Sequence, residues 1–508
     1  MKRRDLLRNG ALLSAGALLP GTAPAVIASD RHRPTAPFGV MSGDLSGDRA
    51  MIWSSADRPA RMIVEWSNDA AFRNVRRIEG PLATPVSGLT AKLDLAGLPT
   101  DRQVFYRVAF CDPDDPRGIG DWTNGQFRTA PAAGKPVRFT FAGDESGQGF
   151  GINPEFGGYR IYEAMRRKAP DFFIHQGDQI YADGPLKAEV PLAGGGVWPN
   201  LLTDAKSRVA ETLDDFRGHF AYNLLDENKR RFLAQVPMYV QWDDHEVRNN
   251  WFPGKHLASG TDMRPLIANA RQAVREYNPI RLSPQAPGIY RSFRHGPLLE
   301  VFLLDARSAR TANQGGGGAR LFGPAQIAWL QRSLLRSTAT WKVIASDIPL
   351  SLTVPDLNKA MPDGSIEGLA DGKSDTPGGR EQELAGLLSF LRRHRVRNTV
   401  WISADVHYAC ALHYDPARAH FGDFNPFWEF VAGPINAGTG VLSSNPLDMT
   451  FGPQVLFAAV PHPIVDRSPR AGLQFFGMGE IEPRTGVLTV SIVDLNGQEL
   501  FRKELEPV

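Results

Sequence analysis

Six apolar runs in this chain each stop at an acidic residue or a histidine, and that recurrence limits the fold more than any other feature. Val137–Ala142 enters Gly143-Asp144, and Asp171–Gln176 enters Gly177-Asp178. Met238–Trp242 meets Asp243-Asp244-His245, and Leu298–Leu304 meets Asp305. Trp341–Ala345 leads to Asp347, and Thr399–Ser403 leads to Asp405-Val406-His407. Short apolar runs with helical patterns between them, such as Tyr159–Arg167, predict strands in an α/β fold. In open α/β sheets, ligands bind outside the carboxyl ends of the strands. Taken singly, an aspartate after a strand is more often a helix cap or turn residue. As a set, these residues crowd negative charge at one sheet edge, which is unfavourable without a cation.

The flanks read as β. From Phe38 to about Ala130, alternating runs such as Ala50–Trp53, Arg61–Trp66 and Val104–Val108 are separated by turn residues, which predicts a small β-sandwich. Residues 131–136, rich in Pro, Ala and Gly, read as a linker. Phe475–Ile481 and Gly486–Val493 read as hairpin strands, and Asn496-Gly497 as a tight turn. The Gly315–Gly318 run lacks a following Lys-Ser/Thr, so it is a loop rather than a P-loop.

The N-terminus reads as a targeting segment. Arg3-Arg4, a short apolar stretch over Ala11–Leu19, and small residues up to Ala25 and Ala28 resemble a twin-arginine export signal over residues 1–28. The stretch is shorter than the roughly 20 residues of a membrane span. No later segment is apolar enough, so the mature chain is expected to have no transmembrane segment. The chain is formally +2, but residues 29–508 hold 53 basic and 54 acidic residues, so no specific nucleic-acid partner is expected. The two cysteines, Cys111 and Cys410, read as buried free thiols, with a bridge between them as the alternative.

The ordered motifs Gly177-Asp178-Gln179-Ile180-Tyr181, Trp242-Asp243-Asp244-His245-Glu246 and Ala404-Asp405-Val406-His407 resemble the calcineurin-like metallophosphoesterase superfamily. Within it, the chain is most similar to the PhoD-like alkaline phosphatase and phosphodiesterase family. Met41–Asp44, Leu304–Ser308, Gln326–Leu330 and Phe430–Pro434 extend the likeness over the mature chain. The resemblance implies a four-layer α/β/β/α catalytic domain over 137–508, preceded by the small N-terminal β-sandwich over 36–130. It implies a periplasmic or secreted enzyme, carried by the Tat export machinery, that hydrolyses small-molecule phosphate esters by metal-activated water. Phospholipid and nucleotide diesters fall within that range. The implied ions are Fe(3+) and Ca(2+). Asp178 would bridge them, Asp144, Tyr181 and His407 would hold the trivalent ion, and Asp244 and Asp405 would flank the other, with Asp347 assisting. His245 would stabilise the phosphate or protonate the leaving group, and Asn249 or Arg307 would contact phosphate oxygens. A structural ion pair is the other role open to Arg307.

The family pattern places a cysteine where Asp144 stands here. A hard carboxylate in place of a thiolate gives weight to Ca(2+), Mn(2+) or Mg(2+), while the Tyr181 phenolate favours ferric iron. No Gly-x-Ser-x-Gly elbow exists, and Ser146 reads as a turn residue. Two other readings compete: a phospholipase D-like phosphodiesterase, for which Phe421, Phe424, Phe427 and Trp428 would form an aromatic rim unless they belong to the core, and a non-catalytic exported binding protein.

Overall fold

The apolar runs form the centres of two large sheets. In the computed structural model, residues 33–508 are described, except 116, 258, 259, 261, 282–287, 315–317, 358–360, 363 and 462. The export signal over 1–28 and most of the four-glycine run lie outside the described residues.

The first sheet has nine strands, in the order Glu499–Leu505, Leu488–Asp494, Phe475–Ile481, Val137–Ala142, Phe172–Gln176, Met238–Gln241, Val40–Ser46, Arg49–Ser55 and Thr90–Leu95. The second has seven: Arg291–His295, Leu299–Leu303, Trp341–Ala345, Thr399–Ser403, Phe427–Val431, Cys410–Tyr414 and Pro453–Ala458. Val137–Ala142, Phe172–Gln176 and Met238–Gln241 run parallel, as do Leu299–Leu303, Trp341–Ala345 and Thr399–Ser403. The strands that end at the acidic and histidine residues therefore point the same way within each sheet.

Successive side chains of a strand point to opposite faces, and the burial follows that period. Phe139, Phe141, Phe172 and Ile174 share an apolar cluster with Val301, Val343, Val400 and Ile402 of the other sheet. The alternate residues Phe173, Met238 and Val240 pack with Tyr162 and Phe232, from helices Arg160–Arg167 and Glu227–Leu233. Phe302, Ile344 and Trp401 pack with Leu330 and Leu387, from helices Pro324–Arg336 and Glu381–Arg393. The last helix opens on Glu381 and Glu383 and closes on Arg392 and Arg393, which suits its dipole. Among the described residues, no helix is long and apolar enough to cross a membrane.

The N-terminal strands divide between two sheets. Val40–Ser46, Arg49–Ser55 and Thr90–Leu95 extend the nine-stranded sheet, while Arg76–Ala83, Ala60–Ser67, Gln103–Cys111 and Thr123–Arg128 form a separate four-stranded one. Contact with the central strands is close: a Cβ on Gly43 would lie 2.4 Å from the Met238 carbonyl oxygen. The buried Asp44 carboxylate pairs with Arg291 at 2.9 Å and fastens the same junction.

Both cysteines are buried free thiols. Of the two roles open to Phe421, Phe424, Phe427 and Trp428, the core holds rather than an aromatic rim. Phe424 and Phe427 are buried core residues, Phe421 packs on the same cluster, and the half-buried Trp428 packs against the cluster shared by the two sheets.

Candidate metal centre

Four residues at the strand ends carry backbone that L-residues seldom adopt. Asp144, Asp178, Asp405 and His407 have φ of 67°, 50°, 71° and 60°. Such left-handed residues cost free energy and concentrate at functional sites. The turns are also tight. A Cβ on Gly177 would lie 2.5 Å from that of Asp243, and one on Gly433 would lie 2.4 Å from Asp144 Oδ2. Gly433 thus lets a neighbouring strand end close against the Asp144 carboxylate.

These turns bring ligand atoms together in two overlapping groups. Asp144, Asp178 and His407 form one, and Asp178, Asp244 and His245 the other, with the atoms of each group within 4.8 Å of one another. His407 Nδ1 donates to the Gly438 carbonyl at 2.8 Å, so Nε2 keeps its lone pair and accepts from the Tyr181 hydroxyl at 2.7 Å. Burial lowers the His407 pKa to about 4, so the ring is neutral. That is the protonation state a metal ligand needs.

The carboxylates repel one another. Burial, with the charges of Asp243 and Asp244 added, pushes Asp144, Asp178 and Asp405 well above the ordinary carboxylate range. Among the described residues, buried Asp144 Oδ2 has no hydrogen-bond partner, and both oxygens of Asp347 are in the same condition. A donor set of carboxylates, imidazole and phenol, with buried carboxylate oxygens left unpartnered, fits hard or borderline cations. A third acidic grouping, Asp371, Glu381 and Asp448, differs. Backbone N–H groups of Gly378, Gly372 and Thr450 occupy Glu381 and Asp448, and Lys373 pairs with Asp371.

The remaining expected residues take distinct places. Asp405 and Asp347 stand outside the two ligand groups, each 4.0 Å from the Arg307 guanidinium. Arg307 is fully buried and paired with Asp243 and Glu367, which puts it beneath the ligands as an ion-pair brace. Asn249 is exposed and lines the cavity above. That cavity measures about 460 Å³ and is floored by Asp178, Asp244, Asp405, His245 and His407. Asp305 accepts from the Trp242 indole at 3.0 Å and from the Ile289 backbone at 2.9 Å, so it braces loops rather than facing the cavity.

Several residues were not singled out from the sequence. Asp183 Oδ1 lies 2.6 Å from His245 Nδ1, and its Oδ2 accepts the Asn249 N–H at 2.6 Å. Burial would raise Asp183, but the His245 charge and these hydrogen bonds hold it at about 2. Burial would likewise lower His245, yet Asp183, Asp244 and Asp178 raise it well above the ordinary imidazole value. Glu246 accepts the backbone N–H groups of Gln179 at 2.6 Å and Asp243 at 2.8 Å, locking two ligand turns together. Glu145, wholly buried beside Asp144, pairs with Lys229 at 2.8 Å and accepts from Tyr162 at 2.6 Å. The spacing of Asp183, five residues past Asp178, was the one available signal for it.

Comparison with known proteins gives a consistent result. A family profile described as PhoD-like phosphatase matches residues 141–492, and one described as PhoD-like phosphatase, N-terminal domain, matches residues 21–131. Alkaline phosphatase D of Bacillus subtilis (strain 168) is 28% identical over 434 residues, covering 79% of this chain and 69% of that protein. The solved structure of PhoD superposes with a TM-score of 0.68 at 22% identity, covering 92% of this chain and 88% of that one. A purple acid phosphatase from yellow lupin seeds, PPD1, superposes with a TM-score of 0.55 at 13% identity, over 94% of this chain and 74% of that one. These two likenesses show a shared mixed α/β fold.

Proposed function

Because the chain belongs to the PhoD-like phosphatase family and is a phosphoric ester hydrolase, we propose that it is an exported, metal-dependent enzyme. It acts on phosphomonoesters, phosphodiesters or both at the cluster around Asp178. One observation carries the reading: Asp178 has ligand atoms within 4.8 Å of those of Asp144 and His407 on one side and of Asp244 on the other. A pair of ions roughly 3.5–4 Å apart needs such a shared ligand.

On this reading Asp144, Tyr181 and His407 hold one ion, Asp244 and Asp405 flank the other, and Asp347 assists from below. The ions are ferric iron with calcium, or a hard-ligand pair that includes manganese or magnesium. Held there, such ions would supply neutralisation of phosphoryl charge and acidification of the attacking water. The protein's own groups do the rest. Asn249 stands at the cavity wall, where its side chain can hydrogen-bond phosphoryl oxygens. His245, whose Nδ1 lies 2.6 Å from Asp183 Oδ1, protonates the leaving oxygen on this reading. Asp183→Asn should therefore lower kcat by about 10²-fold on an alkyl phosphate. The loss should be smaller on a nitrophenyl ester, whose leaving group needs no proton. Equal losses on both esters would remove His245 from the role of proton donor.

The finer architecture belongs to the same proposal. The shared core between the two large sheets, with helices on their outer faces, supports four layers over 137–508. The four-stranded sheet, with Val40–Ser46, Arg49–Ser55 and Thr90–Leu95, supports a small sandwich over 36–130. Arg3-Arg4 and the apolar stretch after them support Tat export to the periplasm or medium. The phospholipase D-like alternative loses its aromatic rim to the core.

The test is metal analysis of the purified protein, with hydrolysis of 4-nitrophenyl phosphate and its bis-ester. Bound metal and hydrolysis of at least one ester are expected. Full activity after complete metal removal would overturn the reading. A visible tyrosinate-to-iron band, lost in Tyr181→Phe, identifies ferric iron. Active, metal-replete protein without that band excludes it.

A further inference from the structure

The cavity over the ligand cluster is strongly acidic at its floor, yet one side of its mouth is not. Among its described lining residues, Arg467 is the one lysine or arginine. Arg307 and Arg310, beneath the floor, are fully buried and committed to Asp243 and Glu367. Arg467 is exposed, and among the described residues its side chain makes no hydrogen bond or ion pair. The neighbouring Asp466 makes no ion pair with it among the described residues, and its Oδ1 accepts the Ser468 N–H at 2.8 Å.

The backbone of Arg467 is nevertheless fixed. Its carbonyl accepts the Thr439 N–H at 2.9 Å. The same turn holds His407 from both sides: Gly438 O accepts His407 Nδ1 at 2.8 Å, and Gly440 N donates to His407 O at 2.8 Å. One hydrogen-bonded unit therefore carries a candidate metal ligand and the free guanidinium. On the cavity wall formed by Val354, Pro355 and Leu357, the surface is apolar, and Leu357 is 83% exposed. The mouth thus offers a cation from one segment and an aliphatic surface from another.

We propose that Arg467 is a substrate-binding, specificity-determining residue. Its guanidinium pairs with a phosphoryl oxygen of the bound ester, and the Leu357 side receives the organic group. The proposal rests on the phosphoester-hydrolase reading of the same site. A monoester carries three non-bridging oxygens and close to two negative charges, whereas a diester carries two and one. With equal access to the ligand cluster, the monoester has an additional anionic oxygen for a guanidinium, which binds such oxygens in a planar fork. Arg467 accordingly tilts the site towards monoesters.

The test uses the metal-replete full chain with Arg467→Gln and Arg467→Lys. The two esters are 4-nitrophenyl phosphate and bis(4-nitrophenyl) phosphate, which share a leaving group. Inorganic phosphate is titrated by calorimetry as a readout independent of turnover. Arg467→Gln should raise KM for the monoester more than it lowers kcat. It should reduce the monoester-to-diester ratio of kcat/KM about tenfold, and weaken phosphate binding by a similar factor. Arg467→Lys should recover part of both. An unchanged ratio, or unchanged phosphate affinity, overturns the proposal. Wild-type protein that binds phosphate through Arg467 but hydrolyses neither ester leaves anion binding standing and overturns the hydrolase reading instead.

Discussion

Asp178→Asn should abolish hydrolysis while leaving the fold intact. Asparagine matches aspartate in size and tolerates the left-handed backbone that position 178 adopts, with φ of 50°. It still offers an oxygen to the His245 N–H, which Asp178 Oδ1 accepts at 3.1 Å. What it removes is the charge shared by the two ligand groups. The expected loss in kcat is at least about 10³-fold, as for other groups that stabilise developing charge in a dry site. Metal content should fall in step, read by elemental analysis of the dialysed protein. A second consequence follows from repulsion. With one buried carboxylate fewer, the metal-free variant should melt at a higher temperature than metal-free wild type. Retention of both metal and activity would remove Asp178 from the shared position.

The metal-free protein should become less stable as pH rises above the carboxylate range. In the folded chain, burial first and neighbouring charge second raise Asp144, Asp178, Asp347 and Asp405 well above the ordinary carboxyl pKa of about 3.9. Between that ordinary value and the raised ones, the folded state holds more protons than the unfolded state. Unfolding then releases protons, and stability falls with increasing pH. Each group contributes up to about 1.4 kcal/mol per pH unit in that window. Asp183 and Asp244 act in the opposite sense, because their folded pKa values are lowered, so their contribution is lost as pH falls. The chelated protein should therefore melt highest at mildly acidic pH and lose ground towards neutrality. Adding metal should reverse the trend, stabilising by about 3 kcal/mol at a hundredfold excess over Kd. It should also release protons, visible as buffer-dependent heats in calorimetry. A metal-free melting temperature that climbs from pH 5 to pH 8 would contradict the charge-repulsion account.

Much of the central fold is legible because strands buried on both faces read as near-continuous apolar runs. Val137–Ala142, Trp341–Ala345 and Thr399–Ser403 begin and end where that pattern places them. Asp144, Asp178, Asp244 and His407 meet because parallel strands bring their carboxyl ends to one edge. Other features depend on contacts far apart in sequence. Lys229 reaches Glu145 from a helix 84 residues away, and nothing local marks either residue as a partner. Asp183 looks like any polar turn residue until the fold sets it under His245. Phe424 and Phe427 carry no local sign of facing the core. The pairing of Val40–Ser46 with Met238–Gln241 was equally hidden, since its strand pattern suited a free-standing sheet.

That pairing bears on how the chain must be made. The nine-stranded sheet seats an early strand beside one that leaves the ribosome almost 200 residues later, and its opposite edge is built from the last three described strands. Contacts of such long sequence separation form slowly, because loop closure precedes any gain from pairing. Nascent chain lacking residues 475–505 leaves Val137–Ala142 without its antiparallel neighbour and exposes an apolar edge. The ligand turn at Asp144 follows directly from that strand. The turn that carries Asp144 is thus braced on that side only once Phe475–Ile481 has been made and has paired with Val137–Ala142.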